Sequence, residues 1–159
     1  MQSALQISRK IDYAMRATIR LAEVPDNQVM SFREIALKEQ IPKEFLAKIL
    51  RSMVSSGVVR STRGPKGGYA LARLPSNISF LDVIEAAEGP IVINTCLGDE
   101  GVCPVQSHCS MVNVWAQAQD AMINVFRKTS IKDVMRGPRI DPTNALTPIL
   151  FSRTPCEAS

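Results

Sequence analysis

Between Ser31 and Leu71 the chain reads SFREIALKEQIPKEFLAKILRSMVSSGVVRSTRGPKGGYAL, and no other stretch restricts the fold as much. Ser31 stands three residues before Glu34, the spacing of a capping box, which predicts a short helix over Phe32 to Lys38. In the next helical pattern Pro42 suits the first position and Gly57 the stop. Phe45, Leu46, Ile49, Leu50 and Met53 form its apolar stripe. Two short helices joined by so brief a link predict a helix-turn-helix. Val58 to Ser61 and Tyr69 to Leu71 then read as strands around a turn of glycine, proline and basic residues, a hairpin wing. The plainer alternative is a small α/β domain with a charged hairpin, but the parts in this order are more specific than either alone. The expected fold class is mainly α with a small β wing, a winged helix-turn-helix joined to a long dimerisation helix.

The flanking segments complete the plan. Ile7, Ile11, Ala14, Met15, Ile19 and Ala22 recur at helical spacing, and Pro25, Asp26 and Asn27 end that helix. NISFLDVIEAAEGP predicts a helix over about Ser79 to Glu88, stopped by Gly89 and Pro90. Met111, Val114, Trp115, Ala118, Met122, Val125 and Phe126 then run through a long helical segment. Such a helix can pack on its own core. Its wide apolar face points instead to a seam with a second copy, through Met111, Trp115, Ala118, Met122 and Val125. A homodimer suits a protein that reads two half-sites. SIKDVM predicts one more short helix. From Gly137 onward, four of the ten prolines fall among polar residues without periodicity, the pattern of a flexible tail that also holds Cys156. The expected organisation is a DNA-binding domain with its following helix over 1–88, a cysteine loop over 89–110, dimerisation helices over 111–136 and the tail over 137–159.

Charge assigns roles on this scaffold. The net charge of +4 hides 13 Lys and Arg against 6 Asp and Glu in residues 1–73, and 6 against 9 in residues 74–159. A basic first half on a helix-turn-helix predicts double-stranded DNA as partner. Lys43, Glu44, Ala47, Lys48 and Arg51 occupy the outer face of the third helix, which would enter the major groove. Arg63, Lys66 and Gly67 lie at the wing tip, where an arginine can enter a narrow minor groove. Arg9, Lys10, Ser31 and Arg33 lie near helix starts and suit phosphate contacts, although Arg9 and Arg33 serve equally well as plain surface residues. No catalytic residues are expected, so the chain is not read as an enzyme. No apolar stretch reaches membrane-spanning length, and charges interrupt MQSALQISRKIDYAMR where a signal peptide needs its apolar run. The expected location is the cytoplasm, where thiols stay reduced.

CLGDEGVCPVQSHC holds three of the four cysteines, Cys96, Cys103 and Cys109, with spacers of six and five residues. Such a loop offers a soft-ligand set for an iron–sulfur cluster or zinc. Structural zinc sites usually pair cysteines across two to four residues, whereas wider spacing suits a larger cluster. A cluster is therefore favoured over zinc, with a four-iron cube expected before a two-iron one. Reduced, unligated thiols are a weaker alternative, since exposed thiols oxidise. An electron-transfer protein would account for the cysteines but not for the basic helix-turn-helix.

KIDYAMRA, the RGPKGGY wing, CLGDEGVCPVQSHC and the long helix after it resemble the IscR/NsrR family of bacterial winged-helix regulators, over about Ile7 to Val134. The resemblance implies a homodimer held by the long helix, with one cluster per subunit and a DNA affinity that changes with the cluster. It also frames the fourth ligand. In the IscR branch a histidine follows the last cysteine by three residues, where this chain has Val112; its one histidine, His108, adjoins Cys109. In the nitric-oxide-sensing NsrR branch the fourth ligand is an aspartate in the first helix of the partner subunit, and the matching position here is Asp12. Asp12 is also an ordinary helix-start carboxylate. The six-residue first gap and the RGPKGGY wing depart from the NsrR pattern. The implied signal, nitric oxide, redox state or cluster status, stays open between the branches.

Overall fold

The computed structural model describes residues 7–25, 28–98, 103 and 108–136. Cys156 and the expected tail lie outside the described residues.

The first helix, α1 (Arg9–Ala22), starts where the Ser8 hydroxyl accepts from the Ile11 amide at 3.2 Å. It buries Ile11, Ala14, Met15, Ala17, Thr18 and Leu21. Three of these, Ala14, Ala17 and Thr18, are small or polar, whereas the apolar Ile7 stays 58% exposed. Thr18 is fully buried because its hydroxyl donates to the Ala14 carbonyl at 2.7 Å. Helix α2 (Phe32–Lys38) carries the predicted capping box in full, with reciprocal Ser31 and Glu34 bonds. Helix α3 (Lys43–Ser55) starts one residue later than expected: Pro42 is its N-cap, not its first turn. Leu46, Ile49, Leu50 and Met53 are fully buried, each worth about 1.5–3 kcal/mol of transfer. Phe45 leaves the expected stripe. It is 51% exposed and meets Tyr13 of α1 edge-on, ring centres 6.1 Å apart.

Strands β1 (Val59–Thr62) and β2 (Gly68–Leu71) pair antiparallel, with Val59 opposite Leu71 and Thr62 opposite Gly68. Met30 adds an edge: its amide donates to the Tyr69 carbonyl and its carbonyl accepts from the Tyr69 amide, both at 2.9 Å. A Cβ on Gly68 would strike the Met30 backbone, so the wing's attachment to the α1–α2 connection requires glycine there.

Helix α4 (Phe80–Glu88) has its own capping box, Ser79 with Asp82, and buries Leu81, Val83, Ile84, Ala86 and Ala87 against α1 and α3. Helix α5 (Val112–Lys128) packs on α4, where Phe126 stacks on Phe80 with ring centres 5.4 Å apart. Helix α6 (Ile131–Arg136) then returns to the core through the fully buried Ile131. None of the seventeen residues of α5 is buried, and Met111, Val114 and Val125 are 58%, 63% and 61% exposed. An apolar groove of about 630 Å³ runs beside it, lined among others by Ile7, Ile11, Ile84, Ile91, Met122 and Phe126. Among the described residues no helix is long and apolar enough to cross a membrane.

Candidate nucleic-acid interface and cysteine loop

Helix α3 is amphipathic, so burying Leu46, Ile49, Leu50 and Met53 turns Lys43, Glu44, Ala47, Lys48 and Arg51 outward. All five are exposed. No side chain caps the α3 N-terminus, which leaves its first amides open to solvent or to an anion. The wing continues this surface. Ser61 and Tyr69 are opposite each other on β1 and β2, and both line a groove with Phe32 of α2 and Ala47, Arg51 and Ser55 of α3. Ser61 and Tyr69 could not be picked from the sequence, because a strand shift of one residue would send them to the other face. Arg60 faces away, into a cleft shared with Leu21, Gln28 and Arg73.

At the wing tip Arg63 and Lys66 are exposed, and a Cβ on Gly67 would collide with the Thr62 carbonyl, so the tight turn needs glycine. A guanidinium held at such a tip can make a specific groove contact. Arg63→Ala is therefore expected to weaken operator binding by about 1–3 kcal/mol at fixed salt, read by fluorescence anisotropy. Unchanged binding would remove the wing from the interface.

The remaining basic candidates sit at helix starts. Arg9 is the exposed first residue of α1, and Lys10 is half-buried beside it. Arg33 is exposed in the first turn of α2. Ser31 is committed locally: its hydroxyl caps the Glu34 amide at 3.3 Å, while its own amide donates to Glu34 Oε2 at 2.9 Å. Hydrogen bonding to the carboxylate by the Ser31 side chain, then by the Ser31 amide, holds the Glu34 carboxyl below its ordinary range.

The turn between α2 and α3 is tied down by residues that carry no sequence signal. Glu39, 9% exposed, receives Arg20 Nε on Oε1 at 2.6 Å and faces Arg16 Nε from Oε2 at 3.5 Å. Arg16 also donates to the Glu39 backbone carbonyl. The bond to Glu39 raises the Arg20 guanidinium above its already high value. Arg16 further pairs with Asp12 one turn earlier, at 3.7 Å, and the Asp12 side chain is 58% exposed.

The cysteine loop leaves α4 through Pro90 and Ile91 toward α5. The Ile93 amide donates to Gln119 Oε1 at 3.1 Å, which pins the start of the segment to α5. Cys96, on a short 3-10 turn over Thr95–Leu97, is buried; Cys103 and Cys109 are half-buried, and none of the three is in a disulfide. Cys109 stands just before α5, with the exposed His108 beside it. Among the described residues no three His, Cys, Asp or Glu side chains converge closely enough to hold a single metal ion. The donor set still suits an iron–sulfur cluster: three reduced soft ligands on one segment, one of them already out of water.

A helix-turn-helix with a contiguous basic wing, set on a core that leaves one long helix uncovered, defines a winged-helix DNA-binding regulator. Comparison with known proteins agrees. Residues 7–137 match the Rrf2 family, described as an iron-dependent transcriptional regulator. An HTH-type transcriptional regulator of Mycobacterium tuberculosis is 32% identical over 133 residues, 84% of this chain and 83% of that protein. The regulator NsrR of Bacillus licheniformis is 26% identical over 132 residues, 82% of this chain and 92% of its own length. Among solved structures, CymR, the global cysteine regulator of B. subtilis, superposes with a TM-score of 0.66 at 28% identity, covering 83% of this chain and 97% of CymR. IscR of T. potens gives 0.65 at 26%, covering 83% and 87%. The chain belongs to the Rrf2 family; it is a transcriptional regulator and not an enzyme.

Proposed function

We propose that the protein is a cytoplasmic homodimeric regulator whose operator affinity responds to an iron–sulfur cluster. The observation that carries this reading is the set of three reduced cysteines on the one segment that leads into the uncovered helix α5. Cys96, Cys103 and Cys109 would hold the cluster, a four-iron cube before a two-iron one, with Asp12 donated across the dimer as fourth ligand. The cluster would supply an iron site open to nitric oxide or oxygen, because a carboxylate is a harder and weaker ligand there than thiolate. The chain's own residues do the rest. Met111, Trp115, Ala118, Met122 and Val125 join two copies, so that two α3 helices face successive half-sites. Lys43, Glu44, Lys48 and Arg51 then meet base edges, Arg63, Lys66 and Gly67 carry the wing, and Arg9, Lys10, Ser31 and Arg33 meet phosphates. The likeness to NsrR and IscR supports an iron cofactor, and the exposure of Asp12 supports its availability to a second copy.

Anaerobic purification tests the reading. The protein should be brown, with an absorption band near 400 nm, as expected roughly for iron–sulfur charge transfer. A colourless protein with one zinc per chain would favour a winged-helix regulator stapled by zinc. Asp12→Ala should leave a cluster that forms but decays faster in air, since water or added thiol can fill one weak site. In metal-free protein the same change should alter DNA binding by no more than a few tenths of a kcal/mol, roughly the scale of a surface substitution. His108→Ala should leave the cluster unaffected. The reverse pattern, with His108→Ala destabilising and Asp12→Ala silent, would replace Asp12 by His108 as ligand.

A further inference from the structure

The wing has two faces, and Ser61 and Tyr69 turn only one of them toward α3. On the other, a cleft of about 480 Å³ opens between the end of α1, the outer side of β1 and the connection from β2 to α4. Arg60 enters it from β1 and Arg73 from the connection. Both are exposed, but they are differently committed. Arg73 Nη1 donates to the Asn77 carbonyl at 3.0 Å and Nη2 to Asp82 Oδ2 at 3.4 Å, so its fork is held and its charge matched. The Arg60 guanidinium has no hydrogen bond or ion pair among the described residues. Leu21, Val24 and Leu74 give the cleft apolar walls, and Leu74 is 59% exposed. None of the described residues that line it is acidic. Two of the last carbonyls of α1 are already taken, since the Glu23 amide donates to Arg20 at 3.3 Å and the Val24 amide to Leu21 at 3.2 Å. That blunts the negative end of the helix beside the cleft.

We propose that this cleft is an effector site for a small carboxylate with an apolar body. A guanidinium recognises a carboxylate through two parallel N–H bonds, and the uncommitted fork of Arg60 supplies them. Arg73, fixed by Asn77 and Asp82, adds a second donor from its remaining N–H groups. One unmatched positive charge suits a monoanion, and the apolar walls suit a short branched chain. An amino acid fits poorly, because its ammonium would meet two guanidiniums and no carboxylate. An occupant that bridges Arg60 to Arg73 ties β1 to the start of α4. The wing that carries Arg63 is then held in one position, and operator affinity rises. The cleft shares no residue with the cysteine loop or with Asp12, so the site stands apart from the cluster reading.

Isovalerate is the probe, titrated calorimetrically into the full-length chain at constant ionic strength. Binding is expected to saturate with a Kd at or below about 1 mM. Valine, which is isovalerate with an added ammonium, and inorganic phosphate, an anion with no apolar body, should each bind about tenfold more weakly or worse. Arg60→Gln should weaken isovalerate by about tenfold or more, through loss of the paired N–H bonds. Lys132→Gln, which removes a charge from the exposed side of α6, should leave binding within about twofold of wild type. Saturating isovalerate should tighten operator binding by about fivefold or more in wild type and leave Arg60→Gln unaffected. No saturable binding, or equal binding by Arg60→Gln, overturns the site. Valine or phosphate binding as tightly as isovalerate overturns the ligand class, and saturation without a change in operator affinity overturns the effector role. A DNA phosphate as occupant has its own signature. Arg60→Gln would then weaken operator binding and lower its salt slope by about one, with no isovalerate binding to lose, and the effector site would fall.

Discussion

Replacing any one of Cys96, Cys103 or Cys109 with alanine is expected to abolish stable cluster binding. The anaerobically purified variants should be colourless and hold less than about a tenth of wild-type iron, because two thiolates and a carboxylate are too few soft ligands for an iron–sulfur core. The three positions serve also as controls for one another. Cys96 is buried and its truncation removes a small apolar volume, whereas Cys103 and Cys109 are half-buried and should fold as wild type. Circular dichroism and metal-free operator binding should therefore match wild type in the Cys103 and Cys109 variants. A variant that keeps full iron content would drop that cysteine from the ligand set. Loss of iron together with loss of fold would mean that the thiol is structural.

Changing Trp115 and Met122 together to aspartate is expected to give monomers. Trp115 is 37% exposed and Met122 lines the apolar groove beside α5, so both side chains border surface that a single chain leaves in water. Four aspartates across a two-fold seam would be buried against each other, at a cost of several kcal/mol per uncompensated ion, roughly. Analytical ultracentrifugation should show the mass of one chain, near 17.5 kDa, in place of two. Operator affinity should fall with it, since each monomer offers one α3 to a two-half-site operator. Because α5 buries none of its own residues, the thermal unfolding of the monomer should remain cooperative. An intact dimer would move the seam off α5.

The short-range signals in this chain translated almost directly into structure. Ser31 with Glu34 predicted a helix over Phe32 to Lys38, and both the helix and its capping box are present with those bounds. Gly89 stops α4, and the turn glycines lie between two antiparallel strands. These features are legible because capping, helical spacing and turn chemistry act within a few residues. The misplacements are equally local in cause. Periodicity assigned Ile7 and Phe45 to the core by their apolarity, but Ala14, Ala17 and Thr18 take the closest approach of α1 because small side chains admit the neighbouring helices.

By itself the sequence determined the kind of protein this is: capping boxes, a glycine-rich basic turn and an amphipathic third helix specify a winged helix-turn-helix, and three cysteines on one loop specify a soft-ligand segment. Tertiary structure alone decided which surfaces meet. That Ser61 and Tyr69 join the outer face of α3 depends on strand register, which is set by Met30 pairing with Tyr69 across nearly forty residues. The grip of Arg16 and Arg20 on Glu39 spans 23 and 19 residues, and nothing in the spacing of two arginines and a glutamate marks them as partners. Ion pairs and edge-strand bonds form between whichever groups packing brings together, and packing is a property of the assembled core, not of any stretch within it.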